Sequence, residues 1–444
     1  MEETPACGGG LCDDAVMEIL VRLPSESVLR CRAVCKRWRR ITTDGSFLAA
    51  HSARRPRELM VVTPSRRVNT IALSSFLDPA AAVARRLGGF LCDAVQRDKN
   101  GTEMRLPSSL LYSLDGLIVF QGIWGVSDIC FVVCNPVTRQ WTKLPALVPK
   151  PCFTAYPCGF YLHRSSGEYR LLCHGDESAP WAWCRPGPPG DRYYVLAAGG
   201  SQARRLCRAP EGSPIISGYE TPVAHADILY WFSKHPESKR TGKMLAFDTA
   251  SETFRLMARP PGVTTAALLE LDGSLCAADV VQQAPGVAAR LDVWALQDHD
   301  HDTAESWTLR HRMEVTPPPR SLSYNGTFPA SRAISAGDGS SSILIGDHTF
   351  PVVILCDLKH KTVRGEFDCG SMPSFLVFHD SLVSHAFFHL PCSSSSDDLM
   401  SIKFPDSQSQ PKQEDIIGAV HAVHYLFALL VPRDENRSDP EGYY

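Results

Sequence analysis

The amino-acid sequence predicts two parts of different fold class: a small all-α module near the N-terminus, followed by a longer all-β domain that is a β-propeller. Apolar residues recur at helical spacing between residues 13 and 41. From about residue 55 onward, short β-rich runs alternate with Gly, Pro, Asp and Asn turns. Two turn motifs then recur at roughly 50–60 residues, the spacing expected of propeller blades. The sequence leaves the number of blades open.

Two apolar stripes indicate the helical module. Four residues of the first stripe fall at i, i+3, i+4 and i+7: Val16, Ile19, Leu20 and Leu23. Pro24 is expected to end this helix and Ser25 to cap the next one. A second stripe, from Val34 to Ile41, completes a predicted set of three helices. A module this small cannot bury a self-sufficient core, so its stripes are expected to need a partner.

Short β-rich runs fill the longer part of the chain. Strands this short and this frequent indicate an all-β sandwich, barrel or propeller. The clearest runs are ELMVV (58–62), GLIVF (116–120), ICFVVCN (129–135), YRLLC (169–173), YYVLAA (193–198), ILYWF (228–232), RLDVWAL (290–296) and SILIG (342–346).

A repeated turn favours the propeller among these folds. Each copy has an apolar strand, an Asn or Asp, a polar turn and a large apolar residue six positions on. The clear copies are 135–141, 248–254 and 357–363, and looser ones lie near 198–206 and 296–307. The Asn or Asp can bond its own turn backbone, and the late residue can pack on the preceding strand.

A second motif lies about twenty residues before several of these copies and predicts hairpins. Segments 114–117 and 271–275 carry Asp-Gly between apolar residues, the strongest short-range hairpin signal. Segment 226–229 is a looser copy, and 379–382 is expected to be the last one. Two linked hairpins make a four-stranded unit, which is one propeller blade.

The composition of the chain narrows the range of functions that it can have. The chain has 444 residues, a formal net charge of −3 and 16 cysteines. This charge shows no bias toward nucleic acid or a membrane. The first residues contain no basic segment followed by an apolar stretch, so we expect no signal peptide. Most cysteines stand in apolar strings, which favours free thiols in the cytoplasm or nucleus over a secreted disulfide framework.

The sequence predicts four segments: a disordered N-terminus over 1–10, the helical module over 11–55, the β domain over 56–432 and a flexible tail over 433–444. Their boundaries follow the change from helical periodicity to short strands and the polar composition of the ends.

Motifs for catalysis or cofactor binding are not found. The chain has no glycine-rich nucleotide loop and no Gly-x-Ser-x-Gly nucleophile elbow. His299 and His301 are two apart with no third metal ligand in view, so a solvated loop is the better interpretation. His421 and His424 stand in an apolar run, where partial burial is the better interpretation. We therefore expect no metal, no cofactor and no catalysis by this chain.

The N-terminal motif resembles the F-box family. Its elements Glu18-Ile-Leu20, Leu23-Pro24 and Val34-Cys-Lys-Arg-Trp38 match the F-box in order and spacing. The resemblance implies a helical module that docks on the Skp adaptor, and through it on cullin and RING subunits. The positions that it implies for the adaptor-binding surface, or for its support, are Leu11, Ile19, Leu20, Leu23, Pro24, Val34, Cys35, Lys36 and Trp38.

Two positions depart from the F-box pattern. Cys12 stands where the family usually has proline, and Ala15 where a larger aliphatic residue is common. The first change removes a helix-start preference and the second removes apolar contact area. Together they are expected to weaken adaptor binding by about 1–3 kcal/mol without abolishing it.

The β region resembles the F-box-associated β domains of plant F-box proteins, which are kelch-like propellers. The residues that carry this resemblance are Cys134-Asn-Pro-Val-Thr-Arg-Gln-Trp141 and the Lys-Leu-Pro that follows. The two resemblances imply a non-catalytic receptor that brings an unknown target protein to a ubiquitin ligase. Two alternatives stay open: an F-box scaffold with a non-degradative regulatory role, and an enzyme built on a propeller. The target-binding residues are unknown.

Overall fold

A computed structural model of the chain describes residues 11–63, 68–77, 85–87, 95–97, 103–105, 109–124, 128–147, 154–176, 192–206, 209–210, 213, 221–232, 242–263, 266–284, 287–297, 306–316, 332–337, 341–389 and 402–403. These residues form two compact units. The helical unit contains the described residues up to Arg55 together with Asp380–Ser384. The β unit contains those of Pro56–His379 and those from His385 onward. Within the described residues, no helix is long and apolar enough to cross a membrane.

Helices make up most of the helical unit. They are α1 (Asp13–Leu20), α2 (Ser25–Cys31), α3 (Lys36–Thr43) and α4 (Gly45–Ala53). Their apolar faces meet in a small core formed by Val16, Ile19, Leu20, Val21, Leu23, Val28, Cys31, Ile41 and Phe47. The first predicted stripe is therefore the buried face, as its spacing indicates.

The predicted helix boundaries are partly wrong. Helix α1 ends at Leu20, and Pro24 is the N-cap of α2, so proline begins the second helix and does not end the first. The Ser25 side chain makes no cap bond; its hydroxyl donates to the carboxylate of Asp380 instead. Helix α3 begins at Lys36, later than the stripe from Val34 suggests, because Cys35 is in extended conformation as its N-cap. Helix α4 was not predicted at all.

The β unit contains six four-stranded antiparallel sheets, which are the six blades of a β-propeller. From the inner strand outward, blade 1 contains β26 (Met372–Phe378), β1 (Glu58–Val62), β2 (Val68–Ala72) and β3 (Arg85–Arg86). Blade 2 contains β6 (Ser109–Leu114), β7 (Leu117–Trp124), β8 (Asp128–Asn135) and β9 (Gln140–Lys143). Blade 3 contains β10 (Thr154–His163), β11 (Glu168–Asp176), β12 (Arg192–Ala197) and β13 (Arg204–Arg205).

The other three blades follow in chain order. Blade 4 contains β14 (Val223–His225), β15 (Ile228–Trp231), β16 (Lys243–Asp248) and β17 (Thr253–Ala258). Blade 5 contains β18 (Ala267–Leu271), β19 (Ser274–Gln282), β20 (Ala289–Leu296) and β21 (Trp307–Val315). Blade 6 contains β22 (Arg332–Ser335), β23 (Ser342–Gly346), β24 (Val352–Asp357) and β25 (Thr362–Asp368). A smaller sheet pairs β27 (Ile402–Lys403), β4 (Val95–Arg97) and β5 (Glu103–Arg105).

Blade 1 closes the ring with strands from distant parts of the chain. Its inner strand β26 pairs antiparallel with β1, placing Glu58 opposite Phe378 and Val62 opposite Met372. The first strand of the propeller and its last inner strand are thereby joined by main-chain hydrogen bonds. Such closure protects the edges that an open row of sheets would expose.

The repeated Asn or Asp turn is confirmed, and it joins the third and fourth strands of a blade. The side chains of Asn135, Asp248 and Asp357 each accept backbone N–H bonds of 2.8–3.2 Å from their own turn. The large apolar residue at the end of each copy pairs back across the hairpin: Trp141 with Cys134, Phe254 with Phe247, and Val363 with Cys356. The residue four positions after each Asn or Asp has positive φ: Arg139, Glu252 and Lys361.

The predicted hairpins at 114–117, 226–229 and 271–275 are confirmed, and each joins the first two strands of a blade. Both central residues of the Asp115–Gly116 and Asp272–Gly273 turns have positive φ, as a type I′ turn requires. The expected last copy at 379–382 is wrong. No described strand follows β26 to make a hairpin with it, because β1 from the other end of the ring already occupies that edge.

A partly buried polar cluster links blade 3 to the outer turn of blade 4. The carboxylate of Glu252 accepts the Tyr161 hydroxyl at 2.7 Å and Arg170 Nη1 at 2.6 Å, and it also pairs with Arg204. Burial raises the pKa of Glu252, but the bonds from these three groups lower it overall. The carboxylate is therefore charged and holds the two blades together.

The predicted buried thiols are confirmed where the structure describes them. Cys134, Cys173 and Cys356 are fully buried free cysteines within β8, β11 and β24. Burial raises the pKa of the Cys356 thiol to about 12, so it is a neutral, small apolar side chain. Cys92, which stands in the apolar string FLC (90–92), lies outside the described residues.

Candidate functional site

The candidate site is the outer surface of helices α1 to α3. Helix α1 begins after Cys12, which is in extended conformation and makes no side-chain cap bond. Asp13 and Asp14 stand in the first turn, where negative charge favours the helix dipole. These two charges stabilise a helix start that has no side-chain cap bond.

Asp13 fixes the start of α1 against α3. Its carboxylate accepts Arg37 Nε at 2.5 Å and Arg40 Nη2 at 2.9 Å. Arg37 also donates from Nη2 to the Leu11 carbonyl at 2.6 Å. The hydrogen bond from Arg37 lowers the pKa of the Asp13 carboxyl. Leu11, ahead of the first helix, is therefore held beside the third helix.

Cys35 defines where α3 begins. Its thiol sulfur accepts the backbone N–H of Trp38 at 3.4 Å, a weak N-cap bond. Cys35 and Lys36 are exposed, and Trp38 is half-buried. The Val-Cys-Lys-Arg-Trp motif thus sets both the helix start and the side chains that this start presents to solvent.

The predicted site residues divide into two groups. Leu11, Pro24, Cys35 and Lys36 are exposed, and Val34 and Trp38 are half-buried. By contrast, the side chains of Ile19, Leu20 and Leu23 are 6%, 0% and 3% exposed, so they form the core of the helical unit. The first group can contact a partner directly, whereas the second can only support the surface from inside.

Basic side chains border this surface. Lys36, Arg37, Arg39 and Arg40 on α3 are all exposed. Arg37 and Arg40 share one carboxylate, that of Asp13. The positive charge of α3 therefore exceeds the negative charge paired with it among the described residues, which suits an acidic partner.

Sequence reasoning missed α4 and its role in supporting the site. Asp44 caps this helix by accepting the Ser46 N–H at 2.9 Å, and its bonds to Ser46 lower its pKa. Near the other end, the His51 Nε2 lies 3.0 Å from the carbonyl of Leu23. Asp44 ahead of a short apolar run was a readable N-cap signal.

A second missed feature comes from the far end of the chain. Ser25 donates its hydroxyl to the Asp380 carboxylate at 2.8 Å, across 355 positions of sequence. Arg32 Nη2 donates to the Thr42 carbonyl at 2.9 Å and lies 3.4 Å from the Leu382 carbonyl. No local pattern in the sequence signals these contacts.

Several sequence-derived interpretations fall outside the described residues: the segments 1–10 and 433–444 and the histidine pairs at 299/301 and 421/424. Within the residues that the structure describes, no group of three or more His, Cys, Asp or Glu side chains is arranged to hold a metal ion.

Comparisons with known proteins agree with this architecture. The F-box domain family matches residues 10–49, and the F-box associated beta propeller domain family matches residues 90–380. An Arabidopsis thaliana chain described as an F-box protein, At3g21120, is 42% identical over 322 residues, which cover 68% of this chain and 81% of that protein.

Two other Arabidopsis thaliana chains described as F-box proteins align less completely. At3g10240 is 24% identical over 293 residues, covering 65% of this chain and 68% of that protein. At3g17480 is 25% identical over 170 residues, covering 36% of this chain and 42% of that protein, so less than half of that relative is spanned.

The four-helix unit and the six-bladed ring together define an F-box module combined with a propeller. The chain belongs to the F-box proteins that carry an F-box-associated β-propeller domain.

Proposed function

We infer that this chain is the substrate-receptor subunit of a Skp–cullin–F-box ubiquitin ligase and catalyses no reaction itself. The helical unit would dock on the Skp adaptor, and through it on the cullin and RING subunits. The propeller would hold the protein to be ubiquitinated. The observation that carries this inference is the match of both families in one chain, with four motif residues exposed on the helical unit.

The docking surface is proposed to contain Leu11, Pro24, Cys35, Lys36, Val34 and Trp38. Leu11 is a large apolar side chain that is 37% exposed, and it is held beside α3 by the Arg37 bond to its own carbonyl. An aromatic residue with apolar neighbours and a basic rim is the composition of an interface core. The exposed charges of α3 would speed association with an acidic adaptor.

The propeller would act by proximity. Binding a target on the same chain as the adaptor raises the effective concentration of target lysines near the ubiquitin-conjugating enzyme. Isopeptide bond formation would belong to other subunits. We expect the target to contact loops at the blade ends away from the short hairpin turns at 114–117, 226–229 and 271–275, because loops held on a rigid scaffold commonly carry binding residues.

A calorimetric titration of the full-length chain with the Skp adaptor tests the docking. Leu11→Asp and Trp38→Ala should each weaken binding by roughly 10- to 100-fold, as expected for a charge or a truncation in an interface core. Leu77→Asp is the matched control, because Leu77 lies in the β unit and is 38% exposed, close to the value for Leu11. Leu20 is unsuitable for this test, since it is fully buried and its substitution would unfold the helices.

Equal binding of the wild type and both variants would refute the proposed surface, and no binding by the wild type would refute adaptor docking. A wild type that binds the adaptor can then be tested with cullin and RING subunits for ubiquitin transfer. Assembly without any turnover of bound targets in cells would favour the non-degradative scaffold.

A further inference from the structure

The helical unit is not built only from the N-terminal part of the chain. Asp380–Ser384 belong to the same compact unit as α1 to α4. Asp380, Ser381 and Leu382 are 8%, 6% and 3% exposed. A segment more than 300 positions away from the helices, as the residue numbers show, therefore contributes buried side chains to them.

The polar contacts of this segment are specific. The Ser25 hydroxyl, on a residue that is 2% exposed, donates to Asp380 Oδ2 at 2.8 Å. The Arg32 guanidinium joins α2, α3 and the segment, because it donates to the Thr42 carbonyl and approaches the Leu382 carbonyl. The loss of a hydrogen bond between buried groups is especially destabilising when one of the groups is charged.

Electrostatics also favour the Asp380 carboxylate at this place. Its charge acts on His51 of α4, as do the charges of Arg32 and Arg55. Burial lowers the pKa of both Arg32 and His51, so this part of the unit disfavours positive charge unless a negative group is near. A buried carboxylate is costly unless it is hydrogen-bonded, and Asp380 has the Ser25 hydroxyl as a donor and its charge favours a proton on His51.

The segment directly follows the last inner strand of the propeller in the sequence. Strand β26, the inner strand that closes blade 1, ends at Phe378, and only His379 separates it from Asp380. The segment therefore emerges directly from the strand whose pairing with β1 completes the ring. It reaches Ser25, the neighbour of Pro24 in the proposed docking surface.

We propose that Asp380–Ser384 is an intrachain element that completes the F-box helices, so that α2 and α4 become fully stable only after the chain has been synthesised beyond this element. Helices in an incomplete chain, lacking this element, would open more often. The effect of such opening on adaptor docking rests on the function proposed above, but the structural claim does not.

Hydrogen–deuterium exchange on the full-length chain tests the structural claim. Asp380→Ala should increase exchange of the α2 and α4 amides by about 10- to 100-fold, because local opening loses a buried charge-assisted bond. Amides of β15, β19 and β23 should keep their wild-type rates. Asp14→Asn, which removes an exposed carboxylate from α1 of the same unit, is the control and should leave α2 and α4 unchanged.

Ser25→Ala provides the milder second variant. If the two residues act through one bond, Ser25→Ala/Asp380→Ala should exchange no faster than Asp380→Ala alone. Unchanged α2 and α4 amides in Asp380→Ala would overturn the proposal, and so would additive effects of the two substitutions. These readouts use no adaptor, so failure of the wild type to bind Skp would refute the docking function and leave the proposal about the helices standing.

Discussion

Blade 5 contains a pair of buried carboxylates whose charge should limit the stability of the propeller. Asp279 on β19 and Asp292 on β20 are directly opposite each other in the antiparallel register, and they are 8% and 3% exposed. Asp292 is well compensated, because Arg312 donates to both of its oxygens at 2.7 and 2.8 Å and Arg290 lies at 3.1 Å. Burial, together with the neighbouring Asp292, raises the pKa of Asp279 from 3.8 to about 6.

The magnitude follows from this pKa. A carboxyl whose pKa is raised in the folded state binds more protons there than in the unfolded chain, so stability falls as the pH rises from about 3.8 to about 6. Each pKa unit corresponds to about 1.4 kcal/mol, so the charge on Asp279 costs at most about 3 kcal/mol above pH 6. Asp279→Asn keeps the size of the side chain and removes the charge. It also removes some attraction to Arg290, so the expected gain at pH 8 is about 1–2 kcal/mol.

Urea unfolding followed by circular dichroism, compared between wild type and variant from pH 4 to pH 8, measures this gain. The difference in the unfolding midpoint should be largest above pH 6 and should vanish near pH 4. Asp292→Asn is the control of opposite sign, because it removes an acceptor from two arginines and should destabilise blade 5 at pH 8. An Asp279→Asn variant that is less stable than wild type at pH 8, or equally stabilised at pH 4 and pH 8, would refute the reasoning.

Three further outcomes are expected. Glu252→Ala should lower the free energy of unfolding by about 1–3 kcal/mol, because the Tyr161 hydroxyl loses its acceptor and Arg170 keeps only its pairing with the more exposed Glu168; a loss below about 0.5 kcal/mol in urea titrations would contradict the role of this link. Asp248→Ala should cost about 1–2 kcal/mol in thermal unfolding while Asp248→Asn should cost much less, since Asn135 makes the same turn in blade 2. Because burial lowers the pKa of His51, the folded helices bind fewer protons than the unfolded chain, so acidification below about pH 6.5 should increase exchange of the α4 amides. His51→Gln should abolish this pH dependence.

Much of the propeller could be predicted because its signals are local. A two-residue Asp-Gly turn requires positive φ at both positions, and Asp272–Gly273 has it. A turn in which Asn or Asp accepts bonds from its own backbone depends on only a few neighbouring residues, as at Asp248, so the sequence is enough to predict it. The number of blades was not predictable in this way, because loosely repeated copies such as 198–206 differ in length and because blade 1 is assembled from both ends of the chain.

The failed hairpin at 379–382 shows why local patterns have limits. Its residues match the motif, but the strand that would complete a hairpin with β26 is β1, which the ring closure already supplies. The freed segment carries Asp380 and Leu382 to the helical unit instead. Whether this segment forms a hairpin or joins the helical unit depends on a contact that is distant in sequence. The distant partner, Ser25, looks like an ordinary helix cap in the sequence.

The F-box motif joins two physically different kinds of residue, and the structure separates them. Leu20 and Trp38 are equally part of the pattern, yet Leu20 is fully buried and Trp38 is half-buried on α3. Substitution of Leu20 would abolish the proposed adaptor binding even if Leu20 touched no adaptor, because the helices that present the surface would open. Loss of binding therefore identifies a contact only at positions such as Leu11, where the side chain is exposed and the backbone is held independently by Arg37. Asp380 is informative for the same reason, because it bonds Ser25 within the helical unit and a variant there would weaken the proposed docking without any contact of its own with the adaptor.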